Sequence, residues 1–365
     1  MMEMEFKPDW SQAVKRFRAW WTGEIIDRVA LQITAPKESY RHQPVPIPQD
    51  LEERWTNMDY VIESAEERMR RTFYGGEAFP MYWPNLGPDV FSAYLGCELV
   101  FMPSTTWAKP YINDWEDAEA PAYTSVPPLK FYPNNRWWEL TLQMIERSLE
   151  SAPGRYFVGL TDLHGGMDAL SAMRGREQLC FDLIECPERV KATMEILTSL
   201  WFEIYEGMYR PIREKLVGSS TWLSAWSPGR WYPTSCDFAA LISPQMFDDF
   251  VLPDIIAEVE WLDQSLYHLD GPDAIVHLDS LLNIPKLGGI QWVPGAASSS
   301  MLHWIPLLKR IQEKRKLLHL SVKPHEIEPL LGELSPKGLM LSTSCSTEVD
   351  AQELLSKAET WTRNA

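Results

Sequence analysis

The sequence predicts an α/β protein, a single (β/α)8 TIM barrel spanning residues 1–365. Three observations carry that expectation. Short apolar, β-favouring runs alternate with longer amphipathic stretches, as parallel strands joined by crossover helices require. Eight such runs can be counted, the number that closes a barrel. No G-x-G-x-x-G or Walker-type loop follows any of them, which removes support for a doubly wound open sheet.

In chain order the strands are expected at residues 29–34, 79–83, 156–161, 221–226, 265–269, 289–293, 317–322 and 339–343. Helical patterns cover 51–73, 137–151, 187–216, 244–262, 273–282, 302–314, 326–334 and 349–361, and an N-terminal helical extension precedes the first strand. Pro187 stands in the first turn of its helix and Ser243 precedes Pro244 as an N-cap, both ordinary start signals. The last four strands begin only about 20 to 30 residues apart, near the minimum for a βα pair. Residues 84–136 break the alternation. Rich in Pro and Trp, they read as an insertion after the second strand, a lid or pocket wall.

Composition excludes several function classes. Acidic residues outnumber basic ones 51 to 34, giving a net charge of −17. That field repels nucleic acid and anionic membranes. No run of about 18 apolar residues exists to span a bilayer. The first nine residues carry three acids and no apolar core of a signal peptide, so the expected compartment is the cytoplasm. The five cysteines are scattered without a C-x-x-C pair, against a disulfide framework or a structural zinc knuckle. The chain holds 17 Trp, 13 Tyr and 13 Phe. Trp226, Trp231 and Trp292 lie in polar or Pro-rich stretches and are expected as planar walls of a substrate pocket, for an aromatic, a sugar or a tetrapyrrole.

In a closed parallel barrel, reactive groups come from the C-terminal ends of the strands. At the end of the fifth strand His268 and Asp270 are two residues apart and so share a face. Cys345 follows the eighth strand on the same rim. An imidazole, a carboxylate and a thiolate with one open position suit a catalytic zinc, which binds and deprotonates a substrate. Asp162 and His164 after the third strand, with Asp237 after the fourth, form a second set suited to proton transfer. Asp168 and Asp273 read as helix caps. His42, His277, His303, His319 and His325 read as structural or solvated.

These ordered residues resemble the uroporphyrinogen decarboxylase superfamily. The resemblance rests on Asp27-Arg28-Val29, on Leu95-Gly96-Cys97-Glu98, and on the stretch from Gly159 to Lys191 with its Leu170-Ser171-Ala172-Met173-Arg174-Gly175 run and Cys186-Pro187-Glu188-Arg189-Val190 helix start. Leu241-Ile242-Ser243-Pro244 followed by Phe250 extends it. It implies the barrel, and within the superfamily it favours the corrinoid-linked methyltransferases over true decarboxylases. Leu31-Gln32-Ile33-Thr34 stands where the decarboxylases carry a Gln-Ala-Gly-Arg signature. The methyltransferases bind zinc through His-x-Cys and a later Cys; His268 and Cys345 match the outer positions, and Asp270 occupies the middle one. The resemblance therefore implies a Zn2+ site at His268, Asp270 and Cys345, a cobalamin-type corrinoid supplied by a partner protein, and a small-molecule substrate. A homodimer is a further expectation. The alternatives are a metal-free decarboxylase or lyase acting on a carboxylated, carbohydrate-like or porphyrin-like substrate, and a non-catalytic binder of a small ligand.

Overall fold

A computed structural model of the chain describes residues 4–113, 115, 129–295 and 300–364. Among these, seven strands form one sheet in the order β2-β1-β11-β10-β9-β8-β7. They are β1 (Ala30–Pro36), β2 (Thr72–Gly76), β7 (Trp231–Ser235), β8 (Gln264–Asp270), β9 (Gly289–Val293), β10 (Leu317–Ser321) and β11 (Leu339–Ser344). All neighbours run parallel except β1 and β2. A hairpin of β4 (Glu98–Phe101) and β5 (Thr106–Lys109) stands apart, as does a parallel pair of β3 (Met81–Tyr82) and β6 (Phe157–Val158). That pair continues sideways, because Leu160 N donates to Ser220 O and Leu160 bridges Thr221.

The ladder does not close into the expected eight-stranded ring among the described residues; β2 and β7 are its edges. The free side of β1 is taken by antiparallel β2, which has no counterpart among the eight expected strands; the helix expected over 51–73 runs into only its first two residues. That helix is two, Leu51–Thr56 and Met58–Arg70. Gly75 and Gly76 then let the strand lie close to β1: a Cβ on Gly76, at φ 61°, would fall 2.0 Å from Leu31 O. The fourth strand is also displaced. Residues 221–226 alternate like a strand, but Ser219 and Ser227 exchange backbone hydrogen bonds of 2.8 and 3.0 Å and fold the segment into a tight turn. The strand itself is β7, five residues later.

The described part of the 84–136 insertion includes a helix packed into the body of the fold. This helix, Val90–Tyr94, is buried along its whole length, Ser92 donates to Ala169 O, and Tyr94 shares a hydrogen bond with Thr141. It is wedged between the helices Arg136–Ser151 and Gly166–Arg174. Residues 114 and 116–128 lie outside the described residues.

Side chains alternate across each strand. On one face Leu31, Ile33, Leu318, Leu320, Leu339 and Leu341 are completely buried beneath the helices. At a parallel sheet's N-terminal edge the concave side is filled by aromatic rings. The helix Trp10–Trp21 presents Trp10, Phe17, Trp20 and Trp21 there, at helical spacing. Trp10 packs on Phe79, Phe157 and Trp226, and Trp21 on Trp231; the Trp21 indole N–H donates to Trp226 O at 2.8 Å. Arg28, from the resemblance motif, is structural: its guanidinium pairs with the buried Glu77 carboxylate at 2.8 and 3.0 Å. Among the described residues no helix is long and apolar enough to cross a membrane.

Candidate functional site

The inner face of the sheet is polar where a parallel sheet buried on both sides would be apolar. Register explains the pattern. Ser235, His268, Gln291 and His319 are successive lateral neighbours across β7, β8, β9 and β10, so they project on one face; two residues on, Asp270, Ser321, Ser342 and Gln32 form a second tier. A cavity of about 660 Å³ opens beside these residues. Gln32, His319, Ser321 and Ser342 line it, with Trp83 and Trp222 as its planar walls.

At the β8 side, ligand atoms of Asp237, His268 and Asp270 all lie within 4.8 Å of one another. His268 and Asp270 come from alternate positions of one strand. Asp237 begins the 3-10 turn Asp237–Leu241 that follows β7. This turn is held by Asp168, whose carboxylate accepts from the backbone N–H groups of Asp237 and Phe238, both at 2.8 Å. Asp168 is thus a cap, of this turn rather than of its own helix. The His268 Nδ1–H donates to the Gln291 amide oxygen, which leaves the Nε2 lone pair free. The Trp222 ring stands edge-on to His268 at 5.2 Å.

Asp237 joins the two expected sets. His164 lies 3.2 Å from Asp162, 3.7 Å from Asp168 and 3.9 Å from Asp237. Burial would push its pKa down, but the three carboxylates outweigh that and raise it to about 10. His164 is therefore an imidazolium at neutral pH. It can donate a proton and cannot ligate a metal, which separates its chemistry from that of His268.

Two expectations need correction. Cys345 is not part of the group around His268. On β11 it is Ser342 and Ser344 that face the cavity, and Cys345, next in the chain, sits in another groove beside Thr34, Arg68, Arg71 and Thr72, its N–H donating to Thr34 O at 2.8 Å. Two strands, β10 and β9, separate β11 from β8, about 14 Å of sheet at the usual spacing. Asp237 takes the place assigned to it. The tryptophans are the other correction. Trp226, Trp231 and Trp292 are 1%, 0% and 1% exposed and none lines the cavity. Trp226 and Trp231 belong to the aromatic plug, and Trp292 points to the outer face against Trp304, ring centroids 4.9 Å apart.

The sequence reading missed Gln291 as a partner of His268, and it passed over His319 as structural. A signal for both existed. Gln32, Gln291 and His319 are the large polar residues flanked on both sides by Leu, Ile or Trp, and strand parity places them opposite the aliphatic face.

No protein-family model matches this chain, and no curated protein sequence does. Among solved structures the chain is similar to a methyltransferase from Methanosarcina mazei, with a TM-score of 0.61 over 95% of this chain and 98% of that one. Identity is 15%, so the likeness is one of fold: an α/β architecture shared along nearly the whole length of both chains.

Proposed function

We propose that this chain is a barrel-type methyltransferase that holds a divalent ion, Zn2+ in the first instance, between Asp237, His268 and Asp270. The carrying observation is the convergence of these three side chains at the C-terminal ends of parallel strands; none of them lines the cavity itself, which Trp222, edge-on to His268, joins to the group. Support for methyl transfer comes from the fold likeness to a methyltransferase and from the sequence resemblance, which also supplies the corrinoid on a partner protein and the eight-stranded barrel as the parent architecture.

The donor set fits the ion. One nitrogen and two carboxylate oxygens make three ligands and leave a fourth position open, as catalytic zinc sites do. His268 already has its other nitrogen engaged by Gln291, the arrangement that orients metal-ligating imidazoles. When bound, a divalent ion lowers the pKa of a substrate thiol or hydroxyl and so makes it a nucleophile. The chain's own residues do the rest. Asp168 fixes the turn that carries Asp237, and Gln291 fixes the plane of His268. The His164 imidazolium stands ready to pass a proton on the Asp237 side of the group, where Asp162 holds its charge. Trp222 and Trp83 keep water away from one side of the cavity.

Zinc content measured on protein purified without chelator tests this reading. The wild type is expected to carry roughly one equivalent and His268→Ala less than about a tenth. Less than a tenth in both overturns the metal. Demethylation of free methylcobalamin by a simple thiol, followed by absorbance, tests methyl transfer; no acceleration by the zinc-loaded wild type overturns it.

One observation favours a second reading. The proton held on His164 beside Asp237 would also serve a metal-free lyase, protonating the carbanion left by loss of a carboxyl group. Turnover of a carboxylated substrate that survives exhaustive chelation and collapses in His164→Gln would select it.

A further inference from the structure

The wall of the cavity remote from Asp237 is built for something more specific than a water-filled approach. Of the eighteen residues that line it, eight bear a hydroxyl, among them Thr34, Ser224, Ser321, Ser342 and Ser344. In a chain with 51 acids, no described residue of the lining is a carboxylate. Its one cation among the described residues is Arg68, exposed at the rim, which makes no side-chain hydrogen bond or ion pair to a described residue. At the base sits His319, 4% exposed, with neither ring nitrogen hydrogen-bonded.

A buried imidazole with two open nitrogens is rare and costly, since each unmade bond forfeits about 1 to 3 kcal/mol. No charged group faces it: its lateral neighbours are Gln291 and Met340, and burial holds its pKa down at about 4. The ring is neutral, so one nitrogen donates and the other accepts. A carboxylate or phosphate could satisfy only the donor. A hydroxyl satisfies either nitrogen, because it donates and accepts, and two neighbouring hydroxyls satisfy both. The same holds for the serine and threonine hydroxyls along β1, β10 and β11, which read alcohols in either direction. Trp83 and Trp222 add flat faces for the C–H side of a ring.

We propose that this wall is a subsite for a polyhydroxylated, sugar-like substrate of monosaccharide to disaccharide size, with His319 receiving one ring hydroxyl and Arg68 accepting an acidic substituent where there is one. The proposal deepens the methyl-transfer reading, for which it names an alcohol or its methyl ether as the substrate class, and rests on that reading only for the chemistry that follows binding.

The test is binding alone, with metal-free and zinc-loaded protein side by side. Protein carrying 13C-labelled histidine is titrated with a panel of aldohexoses, their methyl glycosides and the matching uronic acids, with benzoate as an aromatic anion. At least one sugar is expected to shift the His319 ring signal saturably, at about 1 to 10 mM, in both preparations. His319→Phe is expected to abolish that binding. Ser321→Ala and Ser344→Ala, at exposed positions that the fold does not need, should each weaken it about three- to tenfold. Arg68→Ala should weaken the uronic acids and leave the neutral glycosides unchanged. Silence of every sugar to about 100 mM, binding of benzoate in their place, or sugar affinity unchanged in the serine variants overturns the subsite. A protein that binds sugar but no zinc would overturn the metal reading and leave this one standing.

Discussion

The two ends of the sheet's inner face have opposite chemistry. At the N-terminal end, Trp10, Phe17, Trp21, Trp226 and Trp231 interlock with ring centroids 4.9 to 6.4 Å from one another or from Phe79 and Phe157, and seal the sheet. At the C-terminal end the same face carries His268, Asp270, Gln291, His319 and serine hydroxyls, and stays open. The division teaches where the fold keeps its stability and where it keeps its chemistry. The plug contributes apolar burial. The open end holds polar groups whose unpaired burial is costly unless a ligand satisfies them. Stability and function should therefore respond to separate substitutions.

The largest effect is expected at the plug. Trp21→Ala removes a nearly buried indole and its hydrogen bond to Trp226 O, and should cost about 3 to 5 kcal/mol in urea unfolding. The zinc content of the protein that remains folded should match the wild type. A loss of zinc at temperatures where circular dichroism is unchanged would show that the two ends are coupled after all.

Next comes a pH effect beneath the open end. Asp254 is buried against Gly166, and burial, helped by the Asp168 charge and opposed by the Thr198 hydroxyl, lifts its pKa to about 6. An acid with a raised folded-state pKa is comfortable when protonated. The Asp254 contribution to stability is therefore full below about pH 4, is lost as pH rises from there through about 6, and is level beyond. Asp254→Asn can still accept the Thr198 hydrogen bond without the charge. It should match the wild type near pH 4 and exceed it by about 3 kcal/mol at neutral pH, at about 1.4 kcal/mol per pKa unit. Parallel urea titrations at the two pH values measure this, and an equal difference at both would remove Asp254 as the titrating group.

Much of the scaffold was legible because its signals are local. The strand at 289–293 was placed to the residue and those at 265–269, 317–322 and 339–343 to within one, since each is a short aliphatic run closed by turn residues. The first half was harder. The β1–β2 pairing depends on Gly75 and Gly76 meeting the backbone of β1, a contact across about 45 residues of chain that no local pattern announces. The site divides the same way. His268 with Asp270 is a period-two fact of one strand. Asp237 joins them because Asp168, from another helix, holds its turn. The tryptophans misled because polar neighbours in sequence say nothing of parity: Gln291 faces inward, so Trp292 must face out.

A smaller effect should appear at Gln291. It touches His268 and is not in the metal group, so Gln291→Leu leaves the three ligands in place and frees the imidazole to rotate and change tautomer. Zinc affinity by competition with a chromogenic chelator is expected to fall about 10- to 100-fold, the usual range for a residue that orients a ligand. Gln291→Glu retains the acceptor for Nδ1–H and should restore most of it. Equal loss in both variants would mean that the contact positions nothing.

The smallest effect separates the two ways of choosing the third ligand. The sequence resemblance picks Cys345, and strand geometry picks Asp237. Thiolate is the softer and stronger zinc donor, so if Cys345 reached the ion its replacement should dominate every other change. Its place beside Arg68 and Arg71, with the β11 serines turned to the cavity in its stead, says that it does not. Cys345→Ser is therefore expected to leave zinc content and affinity within about twofold of wild type, while Asp237→Asn, almost unchanged in size, lowers affinity by at least about tenfold. The reverse ranking would mean that the end of β11 folds inward when metal is present, and the ligand set would pass from the carboxylate of the 237–241 turn to the sulfur.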